Sequence, residues 1–141
     1  MATTRNATTH WEGSLLEGAG RVTLESSGQG TFNVTWASRA NEADGRSSPE
    51  VLIAAAHSSC FSMAFSNALA KYDTPPASLD TSAAVTFQPG EGITGIHLTV
   101  KGSVPGLSAE QFAAMATDAS KNCPVSKALT GTTITIDASL T

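Results

Sequence analysis

The sequence predicts an α+β protein in which antiparallel sheets pack around a long buried central helix. Apolar residues recur at every second position in five segments, the period of a half-buried strand. Residues 51–70, VLIAAAHSSCFSMAFSNALA, form a single apolar stretch of helical character with no Lys or Arg in it. The order of elements is strands, a long helix, a strand pair, two shorter helices and a last strand, which is not a βαβ succession.

Val22 and Leu24 mark the first strand, and Phe32, Val34 and Trp36 the second. Ser48 then supplies an N-cap and Pro49 fills the first helical position, where a missing N–H costs nothing. That helix is expected to run to about Lys71, before Pro75 and Pro76. Leu79, Ala83, Val85 and Phe87, followed by Ile96, Leu98 and Val100, predict a strand pair around Gly90 and Gly92. Ser108 with Gln111 forms a capping box for a helix to about Ser120. Pro124 opens a shorter helix that ends near Leu129, and Ile134, Ile136 and Leu140 mark the closing strand. Asn33, Thr35, Thr86, His97, Thr99, Lys101, Thr135 and Asp137 are expected to face outward.

Residues 1–141 are expected to form one domain, since no repeat, linker or low-complexity stretch divides them. A chain of this size buries about two thirds of its unfolded surface, enough for a real core. Only 14% of residues are charged, against roughly 25% in an average soluble domain. The net charge is −4 and the eight Lys and Arg are scattered from Arg5 to Lys127, which excludes a phosphate-backbone footprint. Residues 51–70 have the length of a membrane span, but His57, Ser58, Ser59, Ser62, Ser66 and Asn67 interrupt them, so a core helix is expected instead. Met1 to Thr8 are polar and hold no apolar run of the signal-peptide kind, which points to the cytoplasm. Because Ala54, Ala55, Ala56, Ser58, Ser59 and Ser62 leave the central helix almost no charged face, it should be covered on nearly all sides. One sheet covers one side, so a second copy of the chain is expected to supply the rest.

Two cysteines in a reducing compartment are too few for a disulfide framework, leaving packed thiols or redox chemistry. Cys60 lies in mid-helix, away from the helix dipole, and needs another positive charge if it is to act as a thiolate. Cys123 precedes Pro124 at a cap position, where backbone N–H groups would favour a thiolate. Glu50 sits in the first turn of the central helix, where a carboxylate complements the dipole. Arg39 follows the second strand and reads equally as an exposed cation. His57 and Cys60 are three apart, on one helix face; without further ligands at metal spacing, His57 reads as a hydrogen-bonded core histidine.

The stretch Ser48-Pro49-Glu50-Val51-Leu52-Ile53-Ala54-Ala55-Ala56-His57-Ser58-Ser59-Cys60-Phe61-Ser62-Met63-Ala64 closely resembles the first cysteine motif of the osmotically inducible OsmC peroxidases and their organic hydroperoxide resistance relatives. Asn122-Cys123-Pro124-Val125-Ser126 resembles the second, and the opening His10-Trp11-Glu12-Gly13 is also similar. His57 and the late position of Arg39 look more like the OsmC branch. The resemblance implies an intertwined homodimer with active sites at its interface. It makes Cys60 the peroxidatic cysteine, Cys123 the resolving one, Arg39 the activator of the thiol and Glu50 its orienting carboxylate, with Arg46 a competitor for the arginine role. It further implies a hydroperoxide substrate, an external dithiol reductant of the dihydrolipoyl kind, and no bound cofactor or metal. Phe61 and Met63 beside Cys60 suit an alkyl peroxide. Three other readings remain open at this point: a peroxide-sensing thiol switch, a non-enzymatic binder of a small apolar ligand, and a Cys-His acyl-transfer enzyme.

Overall fold

Alternating segments fold into strands here, and the capped segments between them into helices. In a computed structural model describing all of residues 1–141, the order is β1 (Thr8–Glu12), β2 (Ala19–Thr23), β3 (Thr31–Val34), α1 (Trp36–Ala40), α2 (Pro49–Lys71), β4 (Ser78–Gln88), β5 (Gly92–Ser103), α3 (Ala109–Asn122), α4 (Pro124–Ala128) and β6 (Thr133–Leu140). Contacts divide the chain into two units, Met1–Leu52 and Ile53–Thr141.

In the first unit β1, β2 and β3 form an antiparallel sheet. β1 is exposed along its whole length, so it carries no apolar alternation for a sequence reading to find. The expected continuation of β3 through Trp36 does not occur. Thr35 accepts from the Ser38 backbone N–H at 3.0 Å and Ser38 Oγ accepts from the Thr35 N–H at 3.0 Å, a reciprocal cap that starts α1 at Trp36. The chain then turns back through Asp44 and Gly45, both with positive φ. Ser47 donates its N–H to Asn33 O at 2.8 Å and accepts Ser38 Oγ–H at 2.9 Å, which brings the start of α2 alongside α1. Ser48 Oγ caps α2 by accepting the Val51 N–H at 3.2 Å.

The second unit holds the body of α2, the sheet β4-β5-β6, α3 and α4. α2 covers the expected span and ends at Lys71. Asp73 enters the left-handed region and the Thr74 N–H closes on Leu69 O at 2.9 Å, ahead of the two prolines. The Ser108–Gln111 capping box forms as expected at the head of α3. β4 and β5 are antiparallel, but β6 runs parallel to β5, a departure from the all-antiparallel expectation. The reason is the connection: α3 and α4 intervene between β5 and β6, and such a crossover returns the chain in the same direction.

Phe61, Phe65 and Leu69 of α2 pack with Leu98, Val100 and Phe112 in the core of this unit. His57, Phe61, Phe65 and Leu69 repeat every four residues and are all fully buried, so α2 buries one stripe. Its opposite side is open in a single chain, with Met63 74% exposed. The complete cover expected from the sequence is thus not supplied within one chain.

Phe112 is fully buried, with its ring centroid 5.1 Å from that of Phe65. It also faces Gly102, where even a Cβ would come within 2.8 Å of its ring. Phe112→Ala is therefore expected to lower unfolding free energy by about 3–5 kcal/mol, measured by urea titration, as for other buried aromatic truncations.

Candidate active site

Two pairings bring the expected site residues together. In the first unit, Arg39 of α1 donates to Glu50 in the first turn of α2: Nε lies 3.0 Å from Oε1 and 3.2 Å from Oε2, and Nη2 lies 3.0 Å from Oε2. Glu50 is 7% exposed. A buried carboxylate gripping one edge of a guanidinium fixes its plane. Arg46 pairs instead with Asp44, Nη1 to Oδ2 at 3.1 Å, in the exposed turn. Beside Arg39 opens an apolar cavity of about 380 Å³, walled by Trp11, Leu15, Trp36, Pro49 and Leu52.

In the second unit, Cys60 of α2 and Cys123 at the head of α4 are both reduced, and the Cys123 thiol donates to Cys60 Sγ at 3.1 Å. A disulfide needs a sulfur separation of about 2.05 Å, so closure asks for a shift of roughly 1 Å. Cys123 is wholly buried and makes no cap hydrogen bond with its own side chain. The expectation that helix-end amides serve the Cys123 sulfur is therefore corrected: the Val125 backbone N–H in the first turn of α4 hydrogen-bonds Cys60. Burial pushes the Cys60 thiol above its ordinary pKa, and the Cys123 side chain pushes it the same way, while the Val125 N–H pulls it down. Phe61 turns into the core against Phe65, ring centroids 5.5 Å apart, so it does not line a substrate site as its position beside Cys60 suggested.

His57 lies one turn before Cys60 and is fully buried, with Nε2 2.7 Å from Ser126 Oγ and Nδ1 without a partner. It is the hydrogen-bonded core histidine expected from the sequence. Burial lowers its pKa, so the ring is neutral. The tautomer protonated at Nε2 donates to Ser126 and leaves only a lone pair, rather than an N–H, orphaned at Nδ1. The sign for stability follows. The unfolded chain binds a proton near pH 6.5 and the folded chain only at lower pH, so this residue's contribution is complete above about 6.5 and is lost on acidification. The urea midpoint is expected to fall between about pH 7.5 and about pH 5, and His57→Gln should remove part of that slope. Sequence reading did not single out Ser126 or the Val125 N–H. A serine two residues after Cys123-Pro124, at the same spacing that separates His57 from Cys60, was the available signal.

An α+β fold that holds two reduced thiols within one short movement of a disulfide defines a dithiol redox protein. The model of the family described as OsmC-like protein matches residues 42–139. Peroxiredoxin OsmC of Escherichia coli is 38% identical over 138 residues, covering 93% of this chain and 92% of that protein, and Peroxiredoxin OsmC of Shigella flexneri matches equally. The chain therefore belongs to the OsmC family. Among solved structures, an organic hydroperoxide resistance protein OsmC from Legionella pneumophila shares the fold at TM-score 0.74 and 20% identity, covering 99% of this chain and 98% of that one. The organic hydroperoxide resistance protein OhrB of Bacillus subtilis does so at TM-score 0.69 and 20% identity, covering 94% and 97%.

Proposed function

We propose that this chain is a cytoplasmic, thiol-dependent peroxidase that reduces organic hydroperoxides through a cycle between Cys60 and Cys123. The observation that carries it is the 3.1 Å approach of the two reduced sulfurs, across 63 residues of sequence, in a member of the OsmC family. The chain is an oxidoreductase of the peroxiredoxin type.

The Cys60 thiolate attacks the terminal oxygen of the hydroperoxide, the O–O bond breaks, and the alkoxide leaves to be protonated to an alcohol. Cys60 is now a sulfenic acid. The Cys123 sulfur attacks it, forming the disulfide and expelling the oxygen as water, with the Cys123 proton completing that water. An external dithiol, of the dihydrolipoyl kind implied by the motifs, returns both cysteines to thiols and leaves as a disulfide. The apolar cavity next to Arg39 favours a peroxide bearing an alkyl or aryl group over a bare hydrophilic one.

Burial and the Cys123 side chain both hold Cys60 toward the neutral thiol, so attack needs a cation nearby. Arg39, oriented by Glu50, supplies it; Arg46, tied to Asp44 in an exposed turn, is the weaker choice. Glu50 and Cys60 are ten residues apart on the continuous helix α2, about 15 Å along its axis. The Arg39–Glu50 pair of one chain therefore serves the Cys60 of a second, with the two central helices packed along the exposed face that carries Met63. The homodimer is part of the site.

The test has two stages. After one equivalent of cumene hydroperoxide, intact mass should fall by two hydrogens, a Cys60–Cys123 cross-linked peptide should appear, and a dithiol should reverse both. Unchanged thiols would sink the peroxidase reading. Heterodimers of Cys60→Ser with Glu50→Ala, isolated by orthogonal tags, should then recover part of the activity that each homodimer lacks. No recovery would place the arginine and the thiol in the same chain.

A further inference from the structure

The contact between α2 and α4 has two rungs at matching spacing. Cys60 meets Cys123 at 3.1 Å, and one turn away on each helix His57 meets Ser126 at 2.7 Å. His57 and Cys60 are three residues apart on α2, the spacing that puts side chains on one face, and Ser126 follows the N-cap residue Cys123 by the same three residues. Between them the Val125 N–H reaches Cys60. α4 is only five residues long and caps itself with no side chain at Cys123. A helix this short has little stability of its own and depends on tertiary anchoring. Its buried polar anchor to α2 is the His57–Ser126 hydrogen bond, since His57 and Ser126 are 0% and 3% exposed.

We propose that His57 and Ser126 are positioning residues for the second half of the cycle, holding the head of α4 so that the Cys123 sulfur stays aligned with a Cys60 sulfenic acid. Neither residue touches the peroxide. When Cys60 carries the extra oxygen, the sulfurs can no longer sit as they do in the reduced pair, and Cys123 has to yield and then return for attack. The rung lets α4 pivot about Ser126 without losing register. The step it governs is Cys60–SOH plus Cys123–SH going to the disulfide and water, in which one S–S and one O–H bond form and one S–O and one S–H bond break. A near-attack geometry is sensitive, and misplacement by about 1 Å can cost on the order of 100-fold in rate. His57 remains neutral in this role, because burial disfavours the charged ring.

The inference rests on the peroxidase reading, and the experiment separates the two. Rapid mixing of the reduced homodimer with one equivalent of cumene hydroperoxide gives two rates. Peroxide loss reports oxidation of Cys60, and quenched-flow mass spectrometry reports disulfide closure, with dimedone trapping any sulfenic acid that waits. In Ser126→Ala and His57→Leu, closure should slow by at least about tenfold relative to oxidation, and a dimedone adduct should accumulate on Cys60. Ser126→Thr, which keeps the hydroxyl, should restore closure, a rescue that a purely structural role for the small side chain would not give. The proposal is overturned if closure keeps pace with oxidation in Ser126→Ala, if both rates drop together, or if Ser126→Thr behaves as the alanine. If the unmodified protein consumes no peroxide, the peroxidase reading itself fails, which the first rate alone reveals.

Discussion

Cys60→Ser is expected to reduce hydroperoxide consumption by at least ~1,000-fold, to the background of buffer and reductant, because a serine hydroxyl at neutral pH is not ionised and the peroxide cannot oxidise it to a sulfenic acid. Cys123→Ser is expected to behave differently. Its Cys60 keeps the Val125 N–H and loses the neighbour that, by hydrogen bond and by charge, pushes the thiol upward. It should therefore oxidise once, stoichiometrically, and stop as a sulfenic acid that dimedone captures. Without added thiol, Cys123→Ser should still give the single burst, and only Cys60→Ser should lose it. Equal bursts in both would assign the attack to the wrong sulfur.

Arg39→Met is the second large effect, expected at about 100- to 1,000-fold in kcat/KM, the range for removing one preorganised charge that stabilises a transition state. The pH dependence is the sharper readout. With burial holding Cys60 toward the neutral thiol, the thiolate fraction near neutral pH depends on the cation brought to it. In a Cys123→Ser background, the pH at which iodoacetamide alkylates Cys60 at half its limiting rate should therefore move upward when Arg39 is removed. Glu50→Gln should move it less, since the guanidinium charge survives and only its bidentate grip is weakened. An unchanged pH profile in Arg39→Met would show that the arginine acts on something other than the thiol.

The three rival readings fare differently under these results. A peroxide-sensing switch would show the burst and the disulfide but would cycle slowly with dithiol. A ligand-binding relative would keep its function in Cys60→Ser. The acyl-transfer reading loses its geometric basis, because His57 gives its one hydrogen bond to Ser126 and no carboxylate orients the ring.

By itself the sequence determined what is local. Caps at Ser48 and Ser108, Pro124 at a first helical position and the stop before Pro75 are decided within a few residues, so α2, α3 and α4 were legible with nearly their observed ends. The cysteine motifs were legible for a different reason: their residues lie within single stretches of chain, where order and spacing survive as a pattern. The tertiary structure decided what depends on distant partners. β1 exposes every side chain and is a strand only because β2 pairs with it. The direction of β6 follows from the helical crossover and not from its own alternation, which reads the same in either direction. Trp36 alternates like a strand residue, yet Thr35 and Ser38 satisfy each other's backbone groups and a helix wins. Cys123 sits where a cap thiolate was expected, but packing turns its sulfur to Cys60, 63 residues away, and Ser126 reaches His57 across 69. Helical spacing can place such side chains on a face; which face meets which is set by burial of Phe61, Phe65 and Phe112 in one core, and no single segment holds that information.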